Sequence, residues 1–467
     1  MPSFAKDIAP IVYRHCTTCH RPGESAPFPL QSYADVRKRG VLIEEVVQTR
    51  LMPPWKAASA DVEFRNSRRL SDAEMDLIRR WRQAGMPEGD RGDLPPRPEF
   101  PAGWQLGPPD LVVSMPAAYQ VPAEGPDIYR NFVLPTQLTG ERWVRAIAFR
   151  PSAPRVVHHS LFFVETGGRA RALDAADPLP GFQGGMGALW QLGGSGLGPF
   201  RFLAGPPTPS GTPAPDEDSV AAREDGADLP ASVRSLGGWA VGAQPFQLPP
   251  GLAFHLPAGA EVILSTHFHP SGKVEQEAST LGLYFADAPP RQHFMPVQLP
   301  PAFGAFAGID IPAGAKDYAI EDAFTLPVDV RAFAVGAHAH YLGKSLTMTA
   351  TLPDGSVKTI LSIPDWDFAW QERYEFAQFV ELPKNSRLRA KITYDNSADN
   401  PRNPVLPPRR VRFGEQSTDE MGSVTLFLVA AEETELPRLQ QAYRDHFRRA
   451  LLSYPLLRMI ESRLRRG

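Results

Sequence analysis

Glu261-Val-Ile-Leu-Ser-Thr-His267-Phe-His269-Pro270 reads as one short strand closed by proline. Residues two apart share a strand face, so His267 and His269 would stand side by side and could grip one metal ion. Similar alternating runs recur, as in Trp143-Val-Arg-Ala-Ile-Ala-Phe149 and Leu388-Arg-Ala-Lys-Ile-Thr-Tyr394, separated by Pro, Gly, Asn and Asp turns. Proline is 50 of 467 residues, about twice its usual ~5% share, as many turns require. Regular short strands over this length predict β-sandwiches rather than an α/β fold.

The chain has 11 histidines, and six form three tight pairs: His158-His159, His267-Phe-His269 and His338-Ala-His340. Neighbours such as His158 and His159 point to opposite faces of an ideal strand, so joint ligation needs a bulge or a strand end there. No Cys, Asp or Glu stands within these motifs. Neutral imidazole with a thioether suits copper better than calcium or magnesium, while zinc stays open. The candidate thioether is Met421, in Thr418-Asp-Glu-Met421-Gly-Ser-Val, which would favour cuprous copper and a redox role.

Both cysteines of the chain lie in Cys16-Thr-Thr-Cys19-His20. Two thiols two residues apart and followed by histidine form the c-type haem attachment pattern. Two thioethers would anchor the porphyrin, and His20 would reach the iron. A thioredoxin-like pair would want a strand before the motif, but Phe4 to Arg14 has helical amphipathicity. A zinc site would want a second CxxC or HxxxH nearby. Methionine commonly completes haem iron, and Met52, in Leu51-Met52-Pro53-Pro54-Trp55, is the distal candidate, with Met75 and Met86 as competitors. Tyr33 to Thr49 is amphipathic. Ser71 and Glu74 form a capping box for a helix burying Leu77, Ile78, Trp81 and Ala84, which Gly85 stops. Residues 1–90 thus resemble a small all-α class I cytochrome c domain carrying one covalent haem c. Gly89 to Pro101 is charged and proline-rich, and 91–108 reads as a linker.

His158-His159-Ser-Leu-Phe-Phe, Leu264-Ser-Thr-His267-Phe-His269-Pro, Ala337-His338-Ala-His340-Tyr-Leu-Gly-Lys344 and Asp419-Glu-Met421 together resemble the copper motifs of a known family. These are the type II, ascorbate-dependent copper monooxygenases, which include peptidylglycine α-hydroxylating monooxygenase and dopamine β-hydroxylase. Order and spacing match over roughly residues 110–430, and the bacterial branch with a fused cytochrome c is the nearest likeness. The resemblance implies two jelly-roll-like β-sandwiches, 109–290 and 291–434, each holding one of two coppers across a solvent-filled cleft. It implies that His158, His159 and His267 bind the electron-supplying copper, and His338, His340 and Met421 the oxygen-binding one. His269 has no clear ligand counterpart, although its place beside His267 keeps a ligand role open. The implied reaction hydroxylates a C–H bond of a small organic substrate with O2. The haem would take electrons from an external donor and pass them singly through the first copper to the second. The alternatives are a non-catalytic haem and copper carrier or sensor, and a module with structural zinc. This chain departs from the family at Gly336, where the peptide-amidating enzyme has a carboxylate-gripping arginine. It also has no cysteines left for the disulfides of the animal enzymes.

An insertion is expected at about 181–230, glycine-rich and then proline-rich and acidic. A basic amphipathic helical tail is expected over 435–467, with Leu439, Tyr443, Phe447, Leu451 and Leu452 on one face. His15, His255, His293 and His446 read as surface or packing residues, His15 as exposed. Trp366, Trp370 and Tyr374 read as core before cleft, and Tyr341 and Lys344 as neighbours of the metal site. Lys plus Arg number 49 against 52 Asp plus Glu, so nucleic acid is not an expected partner, and no run approaches the ~18 apolar residues of a membrane span. Met1-Pro-Ser-Phe-Ala-Lys has neither a basic nor an apolar leader region. Because haem c is attached outside the cytoplasm, the mature protein is expected to be periplasmic or exported, with its export signal absent from this sequence.

Overall fold

The computed structural model describes residues 1–453 apart from 23, 25, 59, 102 and 185–232. These fall into two compact units. The first comprises Met1–Lys56, Asn66–Pro108 and Val241–Ala243, and it is helical. A π-turn at Phe4–Ile8 runs into the helix Ala9–His15, followed by Tyr33–Lys38, Gly40–Gln48 and Asp72–Gln83. Ser71 and Glu74 form the reciprocal capping box, and Ser32 with Asp35 forms a second. The last helix buries Met75, Ile78 and Trp81, one residue per turn at i, i+3 and i+6, against Phe4, Ile8, Val12, Val36 and Ile43. Leu77 and Ala84 are only half-buried, because Met75 takes the place on the inner stripe that the sequence reading gave them. Gly85 turns the chain away at φ 83°, where a side chain would be strained. The 91–108 stretch holds a single 3-10 turn at Arg91–Asp93 and groups with the helices.

The second unit contains the sandwiches: Ala57–Arg65, Pro109–Ala240 and Gln244–Gly467, where described. One five-stranded sheet runs Phe182–Gln183, Ile128–Pro135, Glu261–Phe268, Val157–Glu165 and Val233–Ala240. It faces a sheet built on Leu111–Ser114, Thr280–Phe285, Arg142–Arg150 and Phe246–Gln247, with Phe254–Leu256 also paired to Arg142–Arg150. The second half stacks Phe294–Leu299, Gly422–Ala430, Val330–Ala339 and Arg373–Leu382 on Tyr318–Thr325, Arg387–Tyr394, Gly343–Thr351 and Val357–Ile363. Among the described residues every pairing between named strands is antiparallel.

Glu261–Phe268 is buried at every position rather than on alternate ones. Val262, Leu264 and Phe268 fill the sandwich core, while Ile263 packs on the other face with Val133, Phe163 and Ala170 of the helix Arg169–Ala176. The first sandwich's core continues through Phe294, Phe333, Ala334 and Val429 of the second. Two separate cores would have split the unit near residue 290. Shared burial, about 25 cal/mol per Å2 of apolar surface, welds the halves instead.

One expected boundary moves. Ala57–Arg65, placed at sequence level in the N-terminal domain, belongs to the β unit. Phe64 bridges to Phe376, Arg65 N–H donates to Glu375 O at 2.7 Å, and Ala58 N–H donates to Ser362 O at 2.8 Å. Arg373–Leu382 and Val357–Ile363 are edge strands, and their open backbone groups invite an extended segment to pair. The helix Leu436–Ser453 buries Leu439, Tyr443, Phe447 and Leu451, and Tyr443 Oη donates to Gln298 O at 3.0 Å. The tail beyond residue 453 and most of the expected insertion lie outside the described residues. Among the described residues no helix is long and apolar enough to cross a membrane.

Candidate functional site

His267 pairs with His159 across two central strands, and Phe268 then pairs with Val157, so the ladder skips His158. His158 is the extra residue of a β-bulge. The bulge turns two consecutive imidazoles toward His267, which an unbroken strand cannot do. The ring centroids are 4.9 Å apart for His158–His267 and for His159–His267, and 5.4 Å for His158–His159. One ligand nitrogen from each of the three lies within 4.8 Å of the other two. His158 Nδ1 faces His159 Nδ1 at 3.1 Å. Burial pushes the His158 imidazole down to about 3 and His159 well below its ordinary range, so both are neutral at pH 7.

His267 is buried, and its Nδ1 has no hydrogen-bond partner among the described residues. Asp127 Oδ2 comes within 2.9 Å of His267 Nε2. Tyr129 stacks on the His267 ring at 4.3 Å and 11°. Buried imidazole nitrogens left without partners are costly unless something binds them. Three convergent imidazoles fit a copper or zinc ion. His269 lies outside this set: its Nδ1 meets Asp127 Oδ1 at 2.8 Å, and its side chain is exposed.

His338 and His340 lie at the end of Val330–Ala339, with ring centroids 5.2 Å apart. That strand pairs Ala339 with Gly422, so His340 and Met421 come next on the two facing chains. Met421 is buried, and its carbonyl accepts from Tyr394 Oη at 3.0 Å. Gln371 Oε1 lies 2.5 Å from His338 Nδ1, and Asp419 O lies 3.2 Å from His340 Nδ1. Those bonds orient both rings and leave each Nε2 as the acceptor nitrogen. Burial pushes His338 down to about 4 and His340 to about 3. Glu420 is fully buried and accepts the backbone N–H groups of His340, Leu342 and Met421. Burial lifts its carboxyl to about 8 against those three donors.

A buried phenylalanine separates the two imidazole groups. Phe368 lies 5.0 Å from His158, 6.4 Å from His267 and 5.4 Å from His340 by ring centroids. Tyr341 packs edge-on to Phe368 at 4.7 Å, and Trp366 Nε1 donates to His340 O at 3.1 Å. A packed aromatic therefore stands where the resemblance implied open solvent. Opposite Gly336 is Arg373, which reaches Glu375 at 2.9 Å and lies 3.2 Å over the Phe246 ring. Lys344 points to Asp317 on the surface, and Tyr374 is core.

In the helical unit, His20 Nδ1 lies 3.0 Å from Phe28 O, which fixes its tautomer and leaves Nε2 for a metal. Burial pushes the His20 imidazole down and the Cys16 thiol up to about 12. Cys16 and Cys19 are half-buried and not joined in a disulfide. Met75 is buried in the core, and Met86 packs against that core with its Sδ over Gly40. Met52 is half-buried outside that cluster. The His20 Nε2 and the Met52 thioether are donor types that haem iron takes.

His15, expected exposed, is buried beside Glu74 at 3.4 Å, because it closes the first helix against the capped one. His255 meets Glu141, His293 meets Glu433 and His446 meets Asp322, each at 3.0 Å or less. Sequence reading missed Asp127, Tyr129, Phe368 and Gln371, which carry no pattern of their own. For Glu420, the acidic pair before Met421 was a signal, though its inward direction was not.

No family model matches the sequence, and no curated relative does. Among solved structures, the major capsid protein P2 of bacteriophage PM2 aligns at 10% identity over 69% of this chain and 97% of its own, with a TM-score of 0.27. PBCV-1 VP54, fitted into a reconstruction of the virophage Sputnik, aligns at 8% identity over 72% and 95%, with a TM-score of 0.22. Infectious bursal disease virus VP2 aligns at 11% over 71% and 75%, at 0.17. Likeness this slight carries no argument about this chain.

Proposed function

We propose that the chain is a copper-dependent monooxygenase that hydroxylates a C–H bond of a small organic substrate with O2. Electrons reach it singly from an external donor through a haem c held by Cys16, Cys19, His20 and Met52. The observation that carries this reading is the bulge-built cluster of His158, His159 and His267, in which the buried His267 Nδ1 has no hydrogen-bond partner among the described residues. Bound copper would supply one-electron transfer at that cluster and oxygen activation at His338, His340 and Met421.

The chain's own residues prepare both places. Burial keeps His158, His159, His338 and His340 uncharged, so none of these four must shed an added proton before a metal enters. Gln371 and the Asp419 carbonyl hold the His338 and His340 rings in fixed tautomers. The Met421 thioether favours the cuprous state. Phe368 and Trp366 line the second pair with buried apolar surface that excludes water. Haem attachment outside the cytoplasm makes a periplasmic or exported protein part of the same proposal.

Elemental analysis with EPR tests it, and one haem and two type 2 coppers per chain are expected. Zinc without a cupric signal would overturn the reading. Anaerobic reduction of the haem, followed by mixing with O2, tests the route. Haem reoxidation that is unchanged after copper depletion would refute it, and oxygen use indifferent to any substrate would leave only an electron carrier.

A further inference from the structure

Asp127 is the one motif-free acidic side chain that the described structure aims at the imidazole cluster. It precedes the strand Ile128–Pro135, whose first residue pairs with Phe268, so it stands opposite His269. Its side chain is 15% exposed. Oδ2 lies 2.9 Å from His267 Nε2 and 2.8 Å from Ser417 Oγ, and Oδ1 lies 2.8 Å from His269 Nδ1. With Nε2 turned to the carboxylate, His267 has Nδ1 left for a metal. A carboxylate behind the far nitrogen of a ligand imidazole raises its basicity. Glu420, beside the second pair, differs: it bonds backbone N–H groups and holds no imidazole nitrogen.

Resting on the copper reading above, we infer that Asp127 is a positioning residue that sets the redox potential of the His158/His159/His267 site. Its negative charge favours the cupric state there and makes the site the stronger electron donor. One electron then leaves this site as one arrives at His338, His340 and Met421; the external donor supplies it, and no bond or proton changes hands. Ser417, four residues before Met421, ties the same carboxylate to the loop carrying the other site's thioether.

The test is an EPR-monitored potentiometric titration of the copper-loaded full chain. Asp127→Asn should raise the first site's potential by about 59 mV, a tenfold change in its cupric-to-cuprous ratio, and leave the second site unmoved. Ser417→Ala, which removes a hydrogen bond but no charge, should move neither site. Asp127→Ser removes the charge but keeps an oxygen acceptor, and it should shift the first site the same way as Asp127→Asn. It serves as the deciding variant if Asp127→Asn fails to hold copper. Equal shifts at both sites, or none in either deciding variant, would show Asp127 to be scaffold only. A wild type without two coppers fails earlier and overturns the functional reading itself.

Discussion

Glu420 shows how one buried side chain can organise a site it never enters. Three backbone N–H groups, those of His340, Leu342 and Met421, end on its two oxygens. Replacing it with glutamine exchanges one acceptor for a donor, so at least one buried N–H loses its partner. Such a loss costs about 1–3 kcal/mol. Glu420→Gln should therefore lower urea stability by that amount and weaken metal retention at His338, His340 and Met421. His158, His159 and His267 should keep theirs. Phe368 gives the complementary case, since its ring touches both groups. Phe368→Ala should cost about 3–5 kcal/mol and reduce metal content at both sites. Phe368→Leu should cost under about 1.5 kcal/mol and spare both. Metal stoichiometry measured beside unfolding curves separates these outcomes, and an alanine variant that keeps both ions would sink the shared role.

At the scale of the element, the bulge in Val157–Glu165 does the deciding. Because Phe268 already pairs with Val157 and His267 with His159, removing residue 158 would close the ladder without shifting register. A His158 deletion should therefore fold with a melting temperature near wild type yet bind one copper rather than two. A deletion that unfolds the chain would show that the bulge is needed for more than ligation. The same element marks the limit of what the sequence discloses. The adjacent histidines announced that an ideal strand could not serve, and the HxH spacing and Ser71–Glu74 capping box were legible because each rests on local periodicity. Asp127, Gln371 and Phe368 were not legible, being far in sequence from the histidines they touch. Ala57–Arg65 went astray for a related reason: an extended segment has no signature until the edge strand it joins is known.

Across the whole molecule, the buried imidazoles make stability depend on pH with a definite sign. An unfolded histidine takes a proton near 6.5, whereas folded His158, His338 and His340 wait until about 3, 4 and 3, and His159 lies well below its ordinary value too. Between those limits the unfolded chain binds more protons, so stability is complete above pH 6.5 and falls with acidification. Glu420 acts in the other direction: its folded carboxyl, raised to about 8, binds a proton that the unfolded one releases above about 4.5. One group opposes four, so the acid loss prevails in the window from 6.5 to about 4. Metal-free protein should thus melt progressively lower between about pH 7 and pH 5. Copper should raise the melting point at pH 7, by about 2.7 kcal/mol of stability at a hundredfold excess over its dissociation constant. Protons compete for the same nitrogens, so this gain should shrink on acidification. Thermal melts of metal-free and copper-loaded protein across that range check both slopes. A metal-free melting point that is flat between pH 7 and 5 would mean that the imidazoles are not held neutral by burial.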